Sequence, residues 1–290
     1  MPSTITLKRR VSSVKNTKQI TKAMELVSAS KMRRAQDRAK LSRDYRRVSY
    51  DLLARLANLQ ETARHPLFQK RTIKARLYLV ITSDSGLAGA YNYNVLKRFT
   101  TALTADRDKR VRSDVVVIGK QGANFARRIK DINLVGVYPA FGDAPTANDI
   151  RPILNTVTEQ YQQRKVDEVV VIYTTFISNL TQQVTNLPIL PADVADADKP
   201  SYKYGFTNFE PDADIVVERT VSRLIEVQIW QALLESMASE HSMRMLAMKN
   251  ATDNASDIID ELTLELNTVR QANITQELAE ISGGVEALKD

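Results

Sequence analysis

The chain has 290 residues, a net charge of +7 and no cysteine. A hydrophobic fraction of 43% beside 26% charged residues is ordinary for a protein with a real core. Without cysteine there are no disulfides, no thiolate chemistry and no cysteine-based zinc site, and two histidines do not favour a histidine-rich metal site. No run of eighteen apolar residues and no apolar signal core occur, so we expect neither a membrane span nor a cleaved leader.

Residues 1–65 are predicted to form one long amphipathic helix. No Gly or Pro occurs from residue 3 to residue 65, and apolar residues recur at steps of three and four. His65-Pro66 is predicted to end the helix, because the residue before a proline avoids the helical region. The predicted apolar seam comprises Leu7, Val11, Val14, Ile20, Met24, Val27, Leu41, Tyr45, Val48 and Leu52.

Residues 73–205 are predicted to form a Rossmann-like α/β domain. Buried strands are expected at Arg76–Thr82, Val115–Ile118 and Val169–Tyr173, and helices at Asn92–Ala105, Gly122–Ile129 and Asn148–Lys165. Strands that alternate with helices predict βαβ units and a mostly parallel sheet. Residues 188–211 contain four prolines and are predicted to be a loop or linker.

Residues 210–284 are predicted to form a second long helix, followed by a tail at 285–290. No proline follows Pro211, and Gly283-Gly284 is predicted to end the helix as a C-terminal cap. About 70 residues at 1.5 Å each give roughly 105 Å, which is too long for a helix without a partner. Its predicted seam comprises Ile225, Trp230, Leu234, Met237, Met245, Met248, Ala255, Ile259, Leu262, Leu266 and Val269.

Charge indicates that the partner of this helix is the first helix of the same chain. Residues 1–60 hold fifteen Lys/Arg and four Asp/Glu, whereas residues 212–290 hold six and fifteen. Opposite charges favour an antiparallel pairing, although each exposed ion pair contributes only about 0.2–1 kcal/mol. The predicted fold is therefore α/β, with a long antiparallel coiled coil of the two terminal helices around a central Rossmann-like domain.

The central domain offers no set of residues typical of an active site. The turns at Ser83–Asn92 and Ile118–Gly122 carry glycines after strands, but neither matches a GxGxxG fingerprint or a P-loop. Asp84 and Asp114 follow or occupy strands without a visible base or nucleophile. We therefore expect no catalytic, cofactor-binding or metal-binding residues.

Two alternatives remain open from the residues alone. A structural coiled-coil protein could use its basic first helix on DNA, with binding that falls steeply with salt. A nucleotide-binding α/β enzyme with helical arms would need a phosphate loop, which neither glycine turn supplies well.

Both terminal helices resemble the gamma subunit of the F-type ATP synthase. The first matching segment is Lys8–Met24, with the sequence KRRVSSVKNTKQITKAM. The second is Arg244–Asn254, RMLAMKNATDN, and the third is Ile274–Gly284, ITQELAEISGG. The resemblance extends over essentially the whole chain, although Ser85, Ala88 and Val285 stand where the family usually has Arg, often Cys, and Ala.

The resemblance implies a rotor. In that family, one copy per complex forms a central stalk that transmits torque between the ion-driven membrane c-ring and the catalytic alpha–beta hexamer, for ATP synthesis and proton transport. Partners would be the alpha and beta subunits, the epsilon subunit and the c-ring, with no nucleic acid, and catalysis would reside on the beta subunits.

The resemblance also implies where the chain works and which residues meet the hexamer. A bacterial member would be peripheral, on the cytoplasmic face of the plasma membrane. The implied contacts with the alpha–beta hexamer are Lys8, Arg9, Lys22, Met24, Arg244, Arg270, Gln271, Thr275 and Glu277.

Overall fold

The computed structural model describes residues 3–57, 66–142, 145–192 and 213–287. The chain divides into two compact units. One unit, here called the shaft unit, combines residues 1–28 with residues 245–290. The other, the sheet unit, contains residues 29–244. The first helix, α1 (Thr4–Ala57), and the last helix, α5 (Ala213–Ala287), each contribute to both units.

The sheet unit is built on five strands in the order β3-β2-β1-β4-β5. The strands are β1 (Ala75–Ile81), β2 (Arg112–Ile118), β3 (Asn133–Tyr138), β4 (Glu168–Phe176) and β5 (Gln182–Leu190). The helices between them are α2 (Tyr91–Asp108), α3 (Lys120–Ala126) and α4 (Ala147–Gln162). All neighbouring strands are parallel except β5, which is antiparallel to β4. The predicted parallel-dominant α/β fold is confirmed.

The two faces of the sheet bury two apolar layers. On one face, Leu79 and Val171 pack in a cluster with Ile153 of α4 and Ile229 of α5. On the other face, Val80 and Ile172 pack with residues of α2 and α3. Because helices cover both faces, the strands read as continuous apolar runs such as LYLVI in β1, rather than as alternating patterns.

Two strands were missed by the sequence reading. β3 has only half-buried or exposed side chains, and its segment NLVGVY carries no strong apolar run. β5 includes Pro188, and the prediction that a loop begins there is wrong. β5 lies at the edge of the sheet, where the missing N–H of Pro188 removes no hydrogen bond to a further strand on the outer side. The rest of the predicted linker, residues 193–211, lies outside the described residues.

The shaft unit contains an antiparallel helix pair. The hydroxyl of Thr252 donates to the hydroxyl of Thr21 at 2.8 Å, and both side chains are buried. The α1 part of this unit lies mostly before Thr21, and the α5 part lies mostly after Thr252. The α1 part and the α5 part of this unit can therefore lie side by side over most of the α1 part only if the two helices run in opposite directions.

The buried positions of α1 follow a seven-residue period. Leu7, Thr21, Ser28 and Ala35 are buried, with half-buried Val14 completing this series, and Met32 and Ala39 are buried in a second series four residues later. A sustained period of seven is the signature of a left-handed coiled coil.

Part of the predicted α1 seam is wrong. Ile20 and Val27 were expected to be buried but are 61% and 54% exposed, because the buried position falls one residue later, on a Thr and a Ser. Leu41 and Val48 are exposed too. The structure does not describe the side chains of Tyr45 and Leu52. His65, the predicted end of the helix, lies outside the described residues.

On α5, the predicted seam is confirmed, because its members are all buried or half-buried. The predicted end of this helix at Gly283-Gly284 is wrong, since α5 continues to Ala287. Glycine costs about 1 kcal/mol relative to alanine inside a helix, which weakens a helix without obliging it to stop. Residues 288–290 of the predicted tail lie outside the described residues.

The shifted seam can be tested with neighbouring substitutions. We expect Ser28→Asp to lower the free energy of unfolding by at least about 2 kcal/mol, because it buries a carboxylate in the seam between the helices. Val27→Asp places the same group on an exposed position and should change stability by less than about 0.5 kcal/mol. Circular dichroism during urea unfolding of the full chain measures both. Equal losses in the two variants would contradict this helix register.

Candidate partner-contact surface

The residues implied to contact partners lie on both helices of the shaft unit, except Arg244. On α1, the side chains of Lys8, Arg9 and Lys22 are exposed and that of Met24 is half-buried. Lys22 forms an ion pair with Glu25 at 3.0 Å, one turn along the same helix. The N-terminal part of α1 thus presents cations to its surroundings while Leu7 and Thr21 face inward.

The last part of α5 is a helix exposed on every side. Each described side chain from residue 270 to residue 282 is exposed, including Arg270, Gln271, Thr275 and Glu277. A single isolated helix is marginal in water, because most helix stability in proteins comes from packing of an apolar face. This end of α5, here called the tip (residues 270–282), therefore has the character of a segment that needs a surface to lie against.

The tip carries an apolar stripe that the sequence reading missed. Ile274, Leu278 and Ile281 are 46%, 60% and 64% exposed and follow one another at steps of four and three. That spacing places them on one face of the helix. Contiguous exposed apolar surface of this kind is typical of an interaction site. The same spacing was visible in the sequence beyond Val269.

The stripe is not a continuation of the seam between α1 and α5. Extending the seam positions 262, 266 and 269 at the same steps leads to residues 273, 276 and 280. Ile274 and Ile281 lie one residue after such a position and Leu278 lies two residues after one, so the stripe is turned by at least about 100° around the helix. Arg270 and Glu277 share its face. A longer α1 in the same register would therefore leave the stripe uncovered.

Arg244 belongs to the sheet unit and is buried, with a residue exposure of 8%. Its guanidinium donates to the Glu240 carboxylate at 2.7 Å and to the Ser85 hydroxyl at 2.9 Å. Burial raises the pKa of Glu240, while the charges of Arg244 and Lys31 act in the opposite direction. Arg244 therefore differs from the other predicted contacts in being buried, with its guanidinium bonded to groups of its own chain.

The glycine-bearing turn at Ile118–Gly122 is closed by the protein itself. A Cβ at Gly119 would lie 2.3 Å from the carbonyl oxygen of Thr82, so the backbone approaches too closely for any other residue. The Thr82 hydroxyl donates to the Ile118 carbonyl and accepts from the Gly122 N–H. The carboxylate of Asp84 accepts from the backbone N–H of Lys120 at 2.9 Å. Both glycine-bearing turns join strand ends to helices, as the sequence indicated, and in the Ile118–Gly122 turn the amides of Lys120 and Gly122 are already bonded.

Two other expectations concern metals and membrane spans. Among residues 3–57, 66–142, 145–192 and 213–287, no group of His, Asp or Glu side chains has a geometry that could hold a metal ion. Over the same residues, none of the helices combines the length and the hydropathy of a bilayer-spanning segment.

Comparison with known proteins decides the family. A family model described as ATP synthase matches residues 3–288. An ATP synthase gamma chain of Stenotrophomonas maltophilia is 38% identical over 97% of this chain and 98% of its own length. One from Macrococcus caseolyticus is 40% identical over 100% of both chains.

The chain belongs to the ATP synthase gamma chain family. The resemblance inferred from the helix motifs is thereby confirmed.

A solved structure shares the gamma-chain fold. The cryo-EM structure of the Tetrahymena thermophila mitochondrial ATP synthase central stalk and c-ring matches with a TM-score of 0.64 and 24% identity. The match covers 80% of this chain and 99% of that one.

The buried Arg244–Glu240 pair predicts a pH-dependent loss of stability. Arg244→Met should lower the free energy of unfolding by about 3 kcal/mol near pH 8, because it leaves a carboxylate buried without its cation. The variant should raise the folded-state pKa of Glu240 further, so the folded state binds more protons than the unfolded state. Its loss of stability should therefore grow as pH rises from 5 to 8.

Chemical denaturation at both pH values measures this effect. The double variant Glu240→Gln with Arg244→Met should regain part of the lost free energy of unfolding at pH 8, since it removes the buried, unpaired carboxylate charge. A loss in Arg244→Met that is the same at both pH values would contradict the account.

Proposed function

We propose that the chain is the central-stalk rotor of an ATP synthase. It transmits torque between an ion-driven membrane c-ring and a catalytic alpha–beta hexamer, and an epsilon subunit joins it in the stalk. The observation that carries this proposal is the tip, an exposed end of α5 that extends beyond the antiparallel pair of α1 and α5. Membership of the gamma chain family supports it.

The shaft unit has the properties that torque transmission requires. A coiled coil resists bending and twisting because each helix packs into the other along a continuous seam. Both of its helices belong to one chain, so the pair cannot separate by dissociation. The cations of α1 and the tip lie on exposed positions, where ion pairs are weak and exchange readily.

The contacts with the hexamer are proposed at two levels of the shaft unit. Lys8, Arg9, Lys22 and Met24 on α1 would face the carboxy-terminal domain of a beta subunit. Arg270, Gln271, Thr275 and Glu277 would meet the loops around the tip, together with the stripe of Ile274, Leu278 and Ile281.

Arg244 is proposed to act at the level of Met24 on the returning helix. Its bonds to Glu240 and Ser85 suggest that it supports such a contact through the residues it positions, rather than by projecting outward.

We also propose that the chain catalyses no reaction itself and that the beta subunits bind and convert the nucleotide. The closed turn at Ile118–Gly122 supports this, because its amides bond to Thr82 and Asp84 rather than facing an open cradle. The chain would be a peripheral component, held at the cytoplasmic face of a bacterial plasma membrane through its complex.

The stripe provides a test of the proposed contact with the hexamer. Replacing Ile274, Leu278 and Ile281 together with Ser removes apolar surface that a partner would bury. Since burial is worth about 25 cal/mol per Å², we expect the affinity for alpha–beta hexamers to fall at least about tenfold. Co-purification and light scattering with separately prepared alpha and beta subunits measure it.

A matched control replaces exposed apolar residues elsewhere. Ile177 and Leu180 in the sheet unit are 57% and 80% exposed. Their joint replacement with Ser should leave hexamer binding unchanged. Equal binding by the tip variant and the unaltered chain would refute the proposed role of the stripe.

A further inference from the structure

A cavity in the sheet unit has no role in the proposed rotor function. It lies where α2 ends and β2 begins, beside the segment that leads from α3 to β3, and has a volume of about 440 Å³. That volume is within the range of small-molecule sites, roughly 300–1,000 Å³. The half-buried apolar side chains that line it are Leu103, Val111, Phe125, Ile129 and Ile132.

The opening of this cavity is positively charged. Arg107, Arg110, Arg112 and Lys130 line it with exposed side chains, and Asp131 is the only acid among the lining residues. Arg112 is already engaged by Asp114 at 3.1 Å. Within the described part of the chain, the other three cations form no ion pair. Three positive charges without an ion pair in the described chain, and one acid, thus border one apolar wall.

Asp106, a buried acid next to Arg107 in sequence, is occupied and does not neutralise these cations. Asp106 is 1% exposed and forms an ion pair with Arg76. Its second oxygen accepts from the hydroxyl of Tyr78 at 2.7 Å. These bonds fix the end of α2 against β1. The cavity wall on that side is therefore held in place before any ligand arrives.

Arg110 occupies a backbone position that favours glycine. Its φ is 57°, in the left-handed region. The N–H of Arg110 bonds to the carbonyl of Arg107, and the N–H of Val111 bonds to the carbonyl of Asp106. This pair of bonds is the Schellman motif at the end of α2, in which glycine is the usual residue at the left-handed position. An arginine here has a conformational cost, and its side chain borders the cavity.

We propose that this cavity binds an anionic amphiphile, with a phosphate or carboxylate head on Arg107, Arg110 and Lys130 and an alkyl chain along the apolar wall. The charge of the opening selects the head, since arginine and lysine are the side chains that bind phosphate and carboxylate groups. The wall selects the tail. A bilayer lipid and a free fatty acid share this chemistry.

Isothermal titration of the full-length chain with alkyl phosphates tests the site. We expect decyl phosphate to bind at least about tenfold more tightly than hexyl phosphate, because each added methylene is removed from water. Inorganic phosphate lacks the alkyl chain and decanol lacks the charged head, so both should bind more weakly than either alkyl phosphate. Decanol that binds as tightly as decyl phosphate, or phosphate that does so, would overturn the proposal.

Arg110→Gly separates binding from folding. Glycine relieves the left-handed backbone, so stability should hold or rise, while affinity for decyl phosphate should fall about tenfold through the lost charged contact. The matched control is Arg164→Gly. Arg164 has a φ of 56° and a corresponding bond from its N–H to the Tyr161 carbonyl at the end of α4, but it does not line the cavity.

The control removes the same charge and relieves the same backbone conformation, so it should leave affinity within about twofold, since only nonspecific charge is lost there. An equal loss in both variants would mean general charge attraction and would overturn the site. Co-sedimentation with phosphatidylglycerol vesicles then identifies the source. If it is reduced by Arg110→Gly alone, a bilayer lipid is the ligand; if both variants sediment alike while only Arg110→Gly loses decyl phosphate, a free amphiphile is the ligand.

Discussion

A helix of 75 residues is not held straight by its own backbone hydrogen bonds, and α5 depends on what it packs against along its length. In the sheet unit it lies in the apolar layer that also covers β1 and β4. In the shaft unit its partner is α1, in antiparallel register through Thr21 and Thr252. Beyond residue 269 nothing in the described chain covers it. The proposed function follows from these three successive environments along α5: it is buried in the sheet unit, paired with α1 in the shaft unit, and exposed at the tip.

Small polar side chains in the seam between α1 and α5 are consistent with two helices that must pack closely and rigidly. Thr21, Ser28 and Thr252 are buried and bond to backbone carbonyls or to one another, which satisfies their hydroxyls without partners from outside. Small residues let two helix backbones approach closely. The larger apolar residues that flank them, Ile20 and Val27, remain on the surface. That surface is available to a surrounding protein without weakening the pair.

The sequence was most informative where one period ran for many residues. The α5 seam was predicted correctly because its large apolar residues are the buried ones. On α1 the same reasoning selected Ile20 over Thr21, since hydrophobicity alone cannot show that a threonine hydroxyl finds a bond inside. β5 was hidden by Pro188, which only an edge position tolerates, and edge position is a property of the whole sheet. The tip stripe was visible in the spacing, but spacing alone does not show that these residues lie off the seam and remain exposed.

Rotation of the chain within a hexamer tests the central claim most directly. Because the chain has no cysteine, Gln162→Cys, at an exposed position at the end of α4, creates a unique site for a fluorescent or bead label. The labelled chain is assembled with alpha and beta subunits fixed to a surface, and ATP is added. The account predicts continuous rotation in one direction that stops when ATP is withdrawn. ATP hydrolysis by the assembled complex with the label stationary would contradict it.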